Sequence, residues 1–339
     1  MNATDVQRRR RLAIGLVLAT LLLLLAGLAA GSEGWSRANL IRTWAGPDGA
    51  LIVGQIRAPR TLGAWLTGAL LGLAGATAQG LFRNPLADPY LLGSASGASL
   101  GVVLMLAASA FGGHAIGLAT ADTLARIGLV GAAFGGALLG VLLTLTLARG
   151  AQQTTRLLLA GVVVGVMLAA ASDLVTSAVP EALRGKQAFL LGSTGYLGWG
   201  SCAALAIGLG LTLPPSWRLA RALDALTLGA ETATSLGLAL PRVRIALVAA
   251  IALATGLAVS QAGLIAFVGL VAPHLVRRFA PARHGFALIA SAAAGGTLLL
   301  LADVLARSLI APKEVPVGVL TALLGGGYLV WLLHRRRVA

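Results

Sequence analysis

Long apolar runs separated by short polar or basic stretches fill almost the whole chain. Each run has about the 20 residues that a helix needs to cross the hydrocarbon core of a bilayer. No segment alternates apolar and polar positions as a membrane-barrel strand does. The pattern therefore predicts an all-α integral membrane protein with about ten transmembrane helices. The predicted spans are 12–30, 61–81, 92–108, 128–148, 157–178, 198–213, 243–260, 264–280, 286–303 and 316–333.

The second run ends in a polar, proline-rich sequence, RNPLADPY at 83–90. Pro85 and Pro89 lack a backbone N–H and push the preceding residue out of the helical region, so no uninterrupted helix continues through this sequence. At membrane depth, polar non-helical backbone is tolerated only where protein or water covers it. The break is therefore predicted to line a path or a gate.

Composition agrees with a membrane protein, since hydrophobic residues make up 58% and charged residues 11%, against about 25% charged in soluble domains. The net charge of +15 comes from basic residues at the ends of apolar runs. That placement favours anchoring at the lipid surface over nucleic-acid binding. Most arginines fall on the side of the N-terminus if the ten spans are correct, so both termini are predicted in the cytoplasm. Cys202 is the single cysteine.

The chain begins with a basic segment, 1–11, followed by the first apolar run. Such a start resembles a secretory signal, with cleavage near Ala30 as one interpretation. The apolar run is long enough to span a bilayer, which favours a retained first helix.

Two segments far apart in the chain share a pattern. Arg60 precedes Gln79 by 19 residues, and Arg242 precedes Gln261 by the same 19. The segments are the second and seventh predicted spans, which run in opposite directions across the membrane. This favours an inverted internal repeat, which commonly places a transport path at the repeat boundary. The alternative is chance similarity between helices rich in alanine and leucine.

Two glutamines and two aspartates lie inside or at the end of predicted spans. Gln79 and Gln261 either bond to neighbouring helices or line a translocation path. Asp173 and Asp303 are the acids inside spans and raise the prospect of proton coupling. Asp303 precedes Arg307 by four residues, so an ion pair within one helix is the simpler account.

The connection 214–242 is the longest on the cytoplasmic side of an otherwise single domain, 1–339. Its pattern predicts two short apolar-faced helices, hinged at Gly229 and ended near Gly237. One interpretation is an amphipathic loop lying on the bilayer. Its leucines and small polar residues instead favour docking in a cleft of a partner protein.

Signals of catalysis are missing from the sequence. There is no G-x-x-x-x-G-K-[ST] phosphate loop, and the four histidines have no metal-ligand spacing. The chain is therefore expected to be neither an enzyme nor a metal protein and to bind no cofactor. Any ATP and Mg must be held by a separate subunit.

Several motifs resemble, in order, those of the FecCD-type permeases, the membrane subunits of type II ABC importers for iron siderophores, haem and vitamin B12. The resemblance extends from about residue 50 to 325, and one departure is Gly327 in place of the family's usual proline. The motifs are RAPR at 57–60, NPLADP at 84–89, TTRLLLAG at 154–161, LGAETATSLG at 228–237, GLIAFVGLVAPHLVRR at 263–278, LLLADVLAR at 299–307 and EVPVG at 314–318.

The resemblance implies a homodimer in the bacterial or archaeal inner membrane, with a path at the dimer interface. It also implies two cytoplasmic ATPase subunits and a periplasmic or lipoprotein-anchored substrate-binding protein. The expected substrate is a ferric siderophore or haem, with cobalamin as the alternative. A proton-driven secondary transporter is the competing class.

The resemblance also implies roles for particular residues. Docking of the binding protein is implied for Arg57, Arg60 and Arg307, although anchoring to lipid phosphates would also place arginines there. Closure of the path at its cytoplasmic end is implied for Asn84, Pro85, Leu86, Thr154 and Thr155. Coupling to the ATPase is implied for Leu226, Leu228, Gly229, Ala230, Glu231, Ala233, Ser235, Leu236 and Gly237.

Overall fold

The computed structural model describes residues 3–31, 49–112, 123–150 and 153–336, and within these ranges the regular structure is entirely helical. The helices are α1 (Ala3–Ala29), α2 (Gly49–Phe82, π-helical over Ile52–Arg57), a 3₁₀ turn (Pro89–Leu92), α3 (Ser94–Phe111), α4 (Thr123–Leu147), α5 (Thr154–Ala178), α6 (Glu181–Leu191), α7 (Trp199–Arg218), α8 (Ala220–Thr227), α9 (Ala230–Ser235), α10 (Leu240–Ala262), α11 (Val268–Phe279), α12 (His284–Ser308) and α13 (Val317–Arg336).

Helix α2 is the centre of the bundle. From Pro59 to Phe82 nearly every residue is buried, and α7, α10, α11 and α12 pack around it. Its sequence is rich in glycine, alanine and threonine, which allow neighbouring helices to approach closely in a membrane. Because α2 carries the RAPR motif at one end and the polar break at the other, it connects the two ends of the molecule.

Helices α2 and α12 pack closely through small residues. A Cβ atom at Gly72 would overlap the carbonyl oxygen of Ser291, and one at Gly68 would overlap that of Gly295. Side chains at these positions would therefore push the two backbones apart. The small-residue interface is the membrane-protein equivalent of a close-packed core.

Gly72→Ala is expected to destabilise the protein by about 1–3 kcal/mol, the usual effect of overpacking. Gly131→Ala is the matched control, since Gly131 lies in the middle of α4 and a Cβ there meets nothing within 4 Å. The control is expected to be neutral or slightly stabilising, because alanine favours a helix by about 1 kcal/mol. Thermal unfolding in detergent measures both. Equal unfolding temperatures would contradict the close packing.

A helix lies in each of the ten predicted spans, but α7, α11 and α13 are not among those long and apolar enough to cross a membrane. Among the described residues, seven helices are long and apolar enough to cross a membrane. The predicted span 264–280 contains only the 12-residue helix α11, about 18 Å long. Gly263 (φ +69°) and Phe267 (φ +67°) adopt left-handed backbone, which delays the start of this helix. The sequence pattern also did not predict α6.

Helices α2 and α10 run in opposite directions, as expected for an inverted repeat. Ala262, the last residue of α10, accepts a hydrogen bond from Ser193. The next residue, Thr194, donates to the Asp303 carboxylate, which also binds Arg60. The end of α10 therefore lies beside the start of α2.

We call this end of the molecule the Arg60 end and the opposite end, where α2 finishes, the Arg83 end. Helix α1 begins at the Arg83 end, where Arg9 donates to the carbonyl oxygen of Pro281. It then lies along α12, with the hydroxyls of Thr20 and Thr297 2.8 Å apart. The first helix thus packs against one side of the bundle, mainly along α12.

Candidate functional site

The break after α2 is an ordered polar turn at the Arg83 end. Arg83 adopts left-handed backbone (φ 50°) and ends the helix. The Asn84 side chain accepts a hydrogen bond from the backbone N–H of Leu86 at 2.9 Å, and Asp88 accepts one from Tyr90 at 2.8 Å. Burial raises the pKa of the Asp88 carboxyl, and the hydrogen bond from Tyr90 opposes that rise. The polar side chains therefore satisfy backbone groups that a continuing helix would have paired.

The second predicted gate segment packs against this break. Thr154 and Thr155 form the first turn of α5. Two turns later, Gly161 lies so close to the carbonyl oxygen of Leu91 that a Cβ atom would overlap it. Helix α5 and the 3₁₀ turn therefore form one packed unit. The exposed residues of the break are Arg83, Asn84, Pro85 and Leu86, with Leu86 54% exposed.

Gln79 does not line a path in this structure. Its side-chain amide donates to the carbonyl oxygen of Leu270 at 3.2 Å, and its oxygen accepts a hydrogen bond from Arg277. The side chain is buried between α2 and α11. The interhelical interpretation of Gln79 therefore replaces the path-lining one, because both polar atoms are used inside the protein.

Gln261 has different surroundings. It is partly exposed and lines a cavity of about 330 Å³ at the Arg60 end. Its lining combines apolar side chains with polar ones, of which Arg126 and Glu314 are charged. The polar residues around it are Arg126, Ser193, Tyr196, Ser260, Gln261 and Glu314. Path lining by Gln261 stays a prediction.

A buried ion-pair cluster organises the Arg60 end. The Asp303 carboxylate is 0% exposed and accepts hydrogen bonds from Arg60 Nε at 3.0 Å and Thr194 Oγ1 at 2.6 Å. It also pairs with Arg307, one turn later in α12. The pair expected from the spacing of Asp303 and Arg307 is thus present. Arg60, 243 residues away in the chain, completes it.

Arg307 does not reach the surface. Its side chain is 2% exposed, and its Nη1 donates to the carbonyl oxygens of Gly27 at 2.9 Å and Ala30 at 3.2 Å. The last carbonyls of a helix lack partners within the helix, so an arginine placed there satisfies them. The predicted docking role of Arg307 is therefore corrected to a structural one, joining α1 to α12.

Arg57 and Arg60 are closer to the surface and are partly exposed. Arg57 donates to the carbonyl oxygens of Leu28 and Ala29 at 3.2 and 2.9 Å. The two terminal nitrogens of Arg60 bind the two oxygens of Glu314, each at 2.9 Å. Both arginines thus have partners within the chain, a feature that their spacing in the RAPR motif did not indicate.

The segment 220–237 forms the two short helices expected from its sequence, α8 and α9. Gly229 (φ +113°) separates them and Gly237 (φ +84°) follows the second. Leu226 and Ala233 are buried within the chain, so these two of the predicted coupling residues do not face a partner. Gly229 and Ala230 are partly buried. The exposed members of the predicted set are Leu228, Glu231, Ser235, Leu236 and Gly237.

The buried face of this segment contacts the end of α2. Arg83 donates to the carbonyl oxygen of Leu226 at 3.4 Å. A Cβ atom at Gly80 would lie close to both Leu223 and His284. The segment is therefore in direct contact with the last turn before the polar break.

A carboxylate in the same segment holds the start of α12. Asp224 accepts hydrogen bonds from the backbone N–H of His284 at 3.0 Å and is 2.7 Å from its Nδ1. An acidic side chain is favourable at this position, because the first N–H groups of a helix lack partners within it. Sequence reasoning missed this contact, since a single histidine after a loop carries no signal of its own.

Asp173 also has a partner. Lys186 of α6, a mostly buried side chain, pairs with the Asp173 carboxylate, which is 72% exposed. The pair joins the end of α5 to the helix that follows it. Both acids that the sequence places inside spans, Asp173 and Asp303, are therefore in ion pairs within the chain.

Comparison with known proteins identifies the family. The model of the FecCD transport family matches residues 18–335. The hemin transport system permease protein HmuU of Yersinia pestis is 39% identical over 338 residues, covering 95% of this chain and 96% of the relative. The vitamin B12 import system permease protein BtuC of Klebsiella pneumoniae is 39% identical over 339 residues, covering 98% and 96%.

A solved structure of the same architecture supports this match. It is described as an inward-facing conformation of a metal-chelate type ABC transporter. It superposes with a TM-score of 0.78 at 26% identity and covers 96% of this chain and 99% of its own. The relatives are transport permeases and not enzymes. The chain therefore belongs to the FecCD transport family.

Proposed function

We propose that the chain is the membrane-spanning permease subunit of an ATP-driven importer for an iron chelate, either a ferric siderophore or haem. A substrate-binding protein delivers the chelate, and a separate subunit holds Mg and hydrolyses ATP. The relatives that transport hemin and vitamin B12 support a large metal chelate as substrate. Cobalamin is the alternative, because the vitamin B12 permeases are as similar to this chain as the hemin permease.

The main support for the proposal comes from the segment 220–237. One of its faces presents Leu228 and Leu236, which are 66% and 64% exposed. The other face contacts the last turn of α2 through Leu226 and Arg83. A partner that binds the leucines and changes shape would therefore push directly on the helix end beside the polar break, which is how ATP hydrolysis elsewhere can open or close a path.

The charge distribution supports a cytoplasmic Arg83 end and two cytoplasmic termini. The arginines at the start of α1 and those in the last turn of α11 lie at this end, as the positive-inside rule favours. Arg57 and Arg60 then face outward, against that rule. Docking of an acidic surface of the binding protein gives them a reason to be there.

A second copy of the chain completes the proposed transporter, with the translocation path between the copies. Large apolar side chains of α5 and α13 are exposed in the single chain. Among them are Leu159, Val166, Met167, Leu323 and Leu324. Lipid and a second copy are the expected neighbours of such surfaces.

The structure gives little support to the proton-driven alternative. Such a carrier needs a carboxyl group that can exchange a proton with the path. Asp303 is buried between Arg60 and Arg307, and Asp173 is paired with Lys186. Both carboxylates already have basic partners within the chain.

Reconstitution tests the proposal. The permease is placed in liposomes with its ATPase subunit, and the binding protein is added empty or loaded with haem, a ferric siderophore or cobalamin. ATP-dependent uptake and stimulated ATP hydrolysis are expected with an iron chelate. An ATPase subunit without its phosphate-loop lysine is the control. Uptake that persists with this control and collapses with the proton gradient would overturn the importer.

A further inference from the structure

Glu314 is paired with Arg60, one of the two arginines proposed to dock the binding protein. Both of its carboxylate oxygens bind Arg60, each at 2.9 Å, and its side chain is 37% exposed. The geometry is the bidentate fork in which arginine binds a carboxylate most specifically. An acidic group of a docking protein would have to bind in the same position.

Arg60 has two acidic partners, one buried and one partly exposed. Its Nε donates to the fully buried Asp303, whereas Nη1 and Nη2 donate to the partly exposed Glu314. An ion pair that reaches water is weaker than one in the interior, while breaking a buried pair is strongly unfavourable. The Asp303 contact therefore keeps Arg60 in place while its outer partner is exchanged.

From this arrangement we infer that Glu314 is a positioning residue, which occupies Arg60 in the undocked permease and is displaced by a carboxylate of the binding protein. The inference rests on the proposed docking at Arg60. To that docking it adds Glu314 as a competitor for Arg60 within the chain. It also adds a route by which docking would affect the interior of the permease.

The route starts at the position of Glu314 in the chain. Helix α13 begins three residues later, and its Gly318 lies against the carbonyl oxygens of Leu191 and Leu264. Glu314 also lines the cavity that contains Gln261. Displacing the carboxylate changes the charge in the lining of this cavity and frees the segment that leads into α13. A docking event would thus be transmitted to α13, whose exposed apolar side chains are expected to face lipid or the second copy.

Glu314→Gln tests the competition. The complete transporter, in lipid nanodiscs, is titrated with the binding protein used for reconstitution. The variant is expected to bind it about three- to tenfold more tightly, because one weak competing ion pair is removed. Glu181→Gln is the matched control, since Glu181 is an exposed acid at the start of α6, beside the Arg60 end. It removes the same charge without touching Arg60, and a change below about twofold is expected.

A spin label gives a second readout that a purely structural role would not change. Lys313 is exposed next to Glu314, and the single cysteine, Cys202, is buried, so Lys313→Cys directs the label to this segment. The label is expected to become more mobile when the binding protein docks. In Glu314→Gln it should be mobile before docking, and Glu314→Asp should restore part of the order.

The possible results separate the two proposals. If Glu314→Gln binds no more tightly than Glu181→Gln and docking leaves the label unchanged, the role of Glu314 is overturned while the importer stands. If the binding protein does not dock on the unaltered transporter, the proposed docking itself fails. Should Glu314→Gln fold poorly, the label on the otherwise unaltered chain decides, because docking either mobilises it or does not.

Discussion

Asp303→Asn is expected to destabilise the permease by about 3–5 kcal/mol, the effect of breaking a buried ion pair by removing one partner. The carboxylate is fully buried and serves Arg60, Arg307 and Thr194 at once. Asparagine nearly keeps the shape but leaves the buried Arg307 without its counter-charge and Arg60 with Glu314 alone. Unfolding in detergent by heat or denaturant measures the loss, and a lower yield of monodisperse protein should accompany it.

Asp173→Asn is the matched control for that change. It removes the same charge from a pair with Lys186 in which the carboxylate is 72% exposed. Because this carboxylate lies largely in water while that of Asp303 is fully buried, a smaller loss of stability is expected than for Asp303→Asn. Equal destabilisation by both changes would contradict the larger contribution to stability expected of Asp303. A variant of either aspartate that is stable but has lost proton-dependent uptake would favour the secondary transporter.

Replacing both Leu228 and Leu236 by glutamate is expected to weaken the complex with the ATPase subunit by at least about a hundredfold. Each buried leucine contributes about 1.5–3 kcal/mol, and a factor of ten corresponds to about 1.4 kcal/mol. The two side chains are the large apolar groups exposed on the segment 220–237. Co-purification of the subunits and ATP-dependent uptake measure the loss.

Leu309→Glu is the control, because Leu309 is 57% exposed and follows α12 at the Arg60 end. It should leave assembly with the ATPase unchanged. Ala233 is a poor site for this test, since it is buried within the chain and a large substituent would disrupt the segment itself. Normal assembly of the double leucine variant would indicate that the segment lies on lipid instead.

Features with a local cause could be predicted from the sequence. Pro85 and Pro89 determine where α2 must stop, and Gly229 and Gly237 mark the limits of α9. The lengths of the apolar runs predicted where the membrane spans lie. The one shortened helix, α11, depends on the left-handed backbone of Phe267, which is not a residue type that indicates such a conformation.

Features that depend on distant partners could not be predicted in the same way. Gln79 and Gln261 have the same spacing from an arginine, yet one is buried against Arg277 and the other lines a cavity. Arg60 and Glu314 are 254 residues apart. Nothing local to either residue indicates the contact, because it depends on how α2 and α12 pack. The role of Arg307 was misjudged for the same reason.

The anchoring of α1 sets an order of events during synthesis. The carbonyl oxygen of Gly27 is satisfied by Arg307, which follows it by 280 residues. At about 5–20 residues per second, a ribosome adds those residues in roughly 14 to 56 seconds. Throughout that interval the first helix lacks this anchor and has no α12 to lie along. The helix inserted first is therefore among the last to be fixed along its length, and chains truncated before α12 should leave it held mainly at its end, through Arg57.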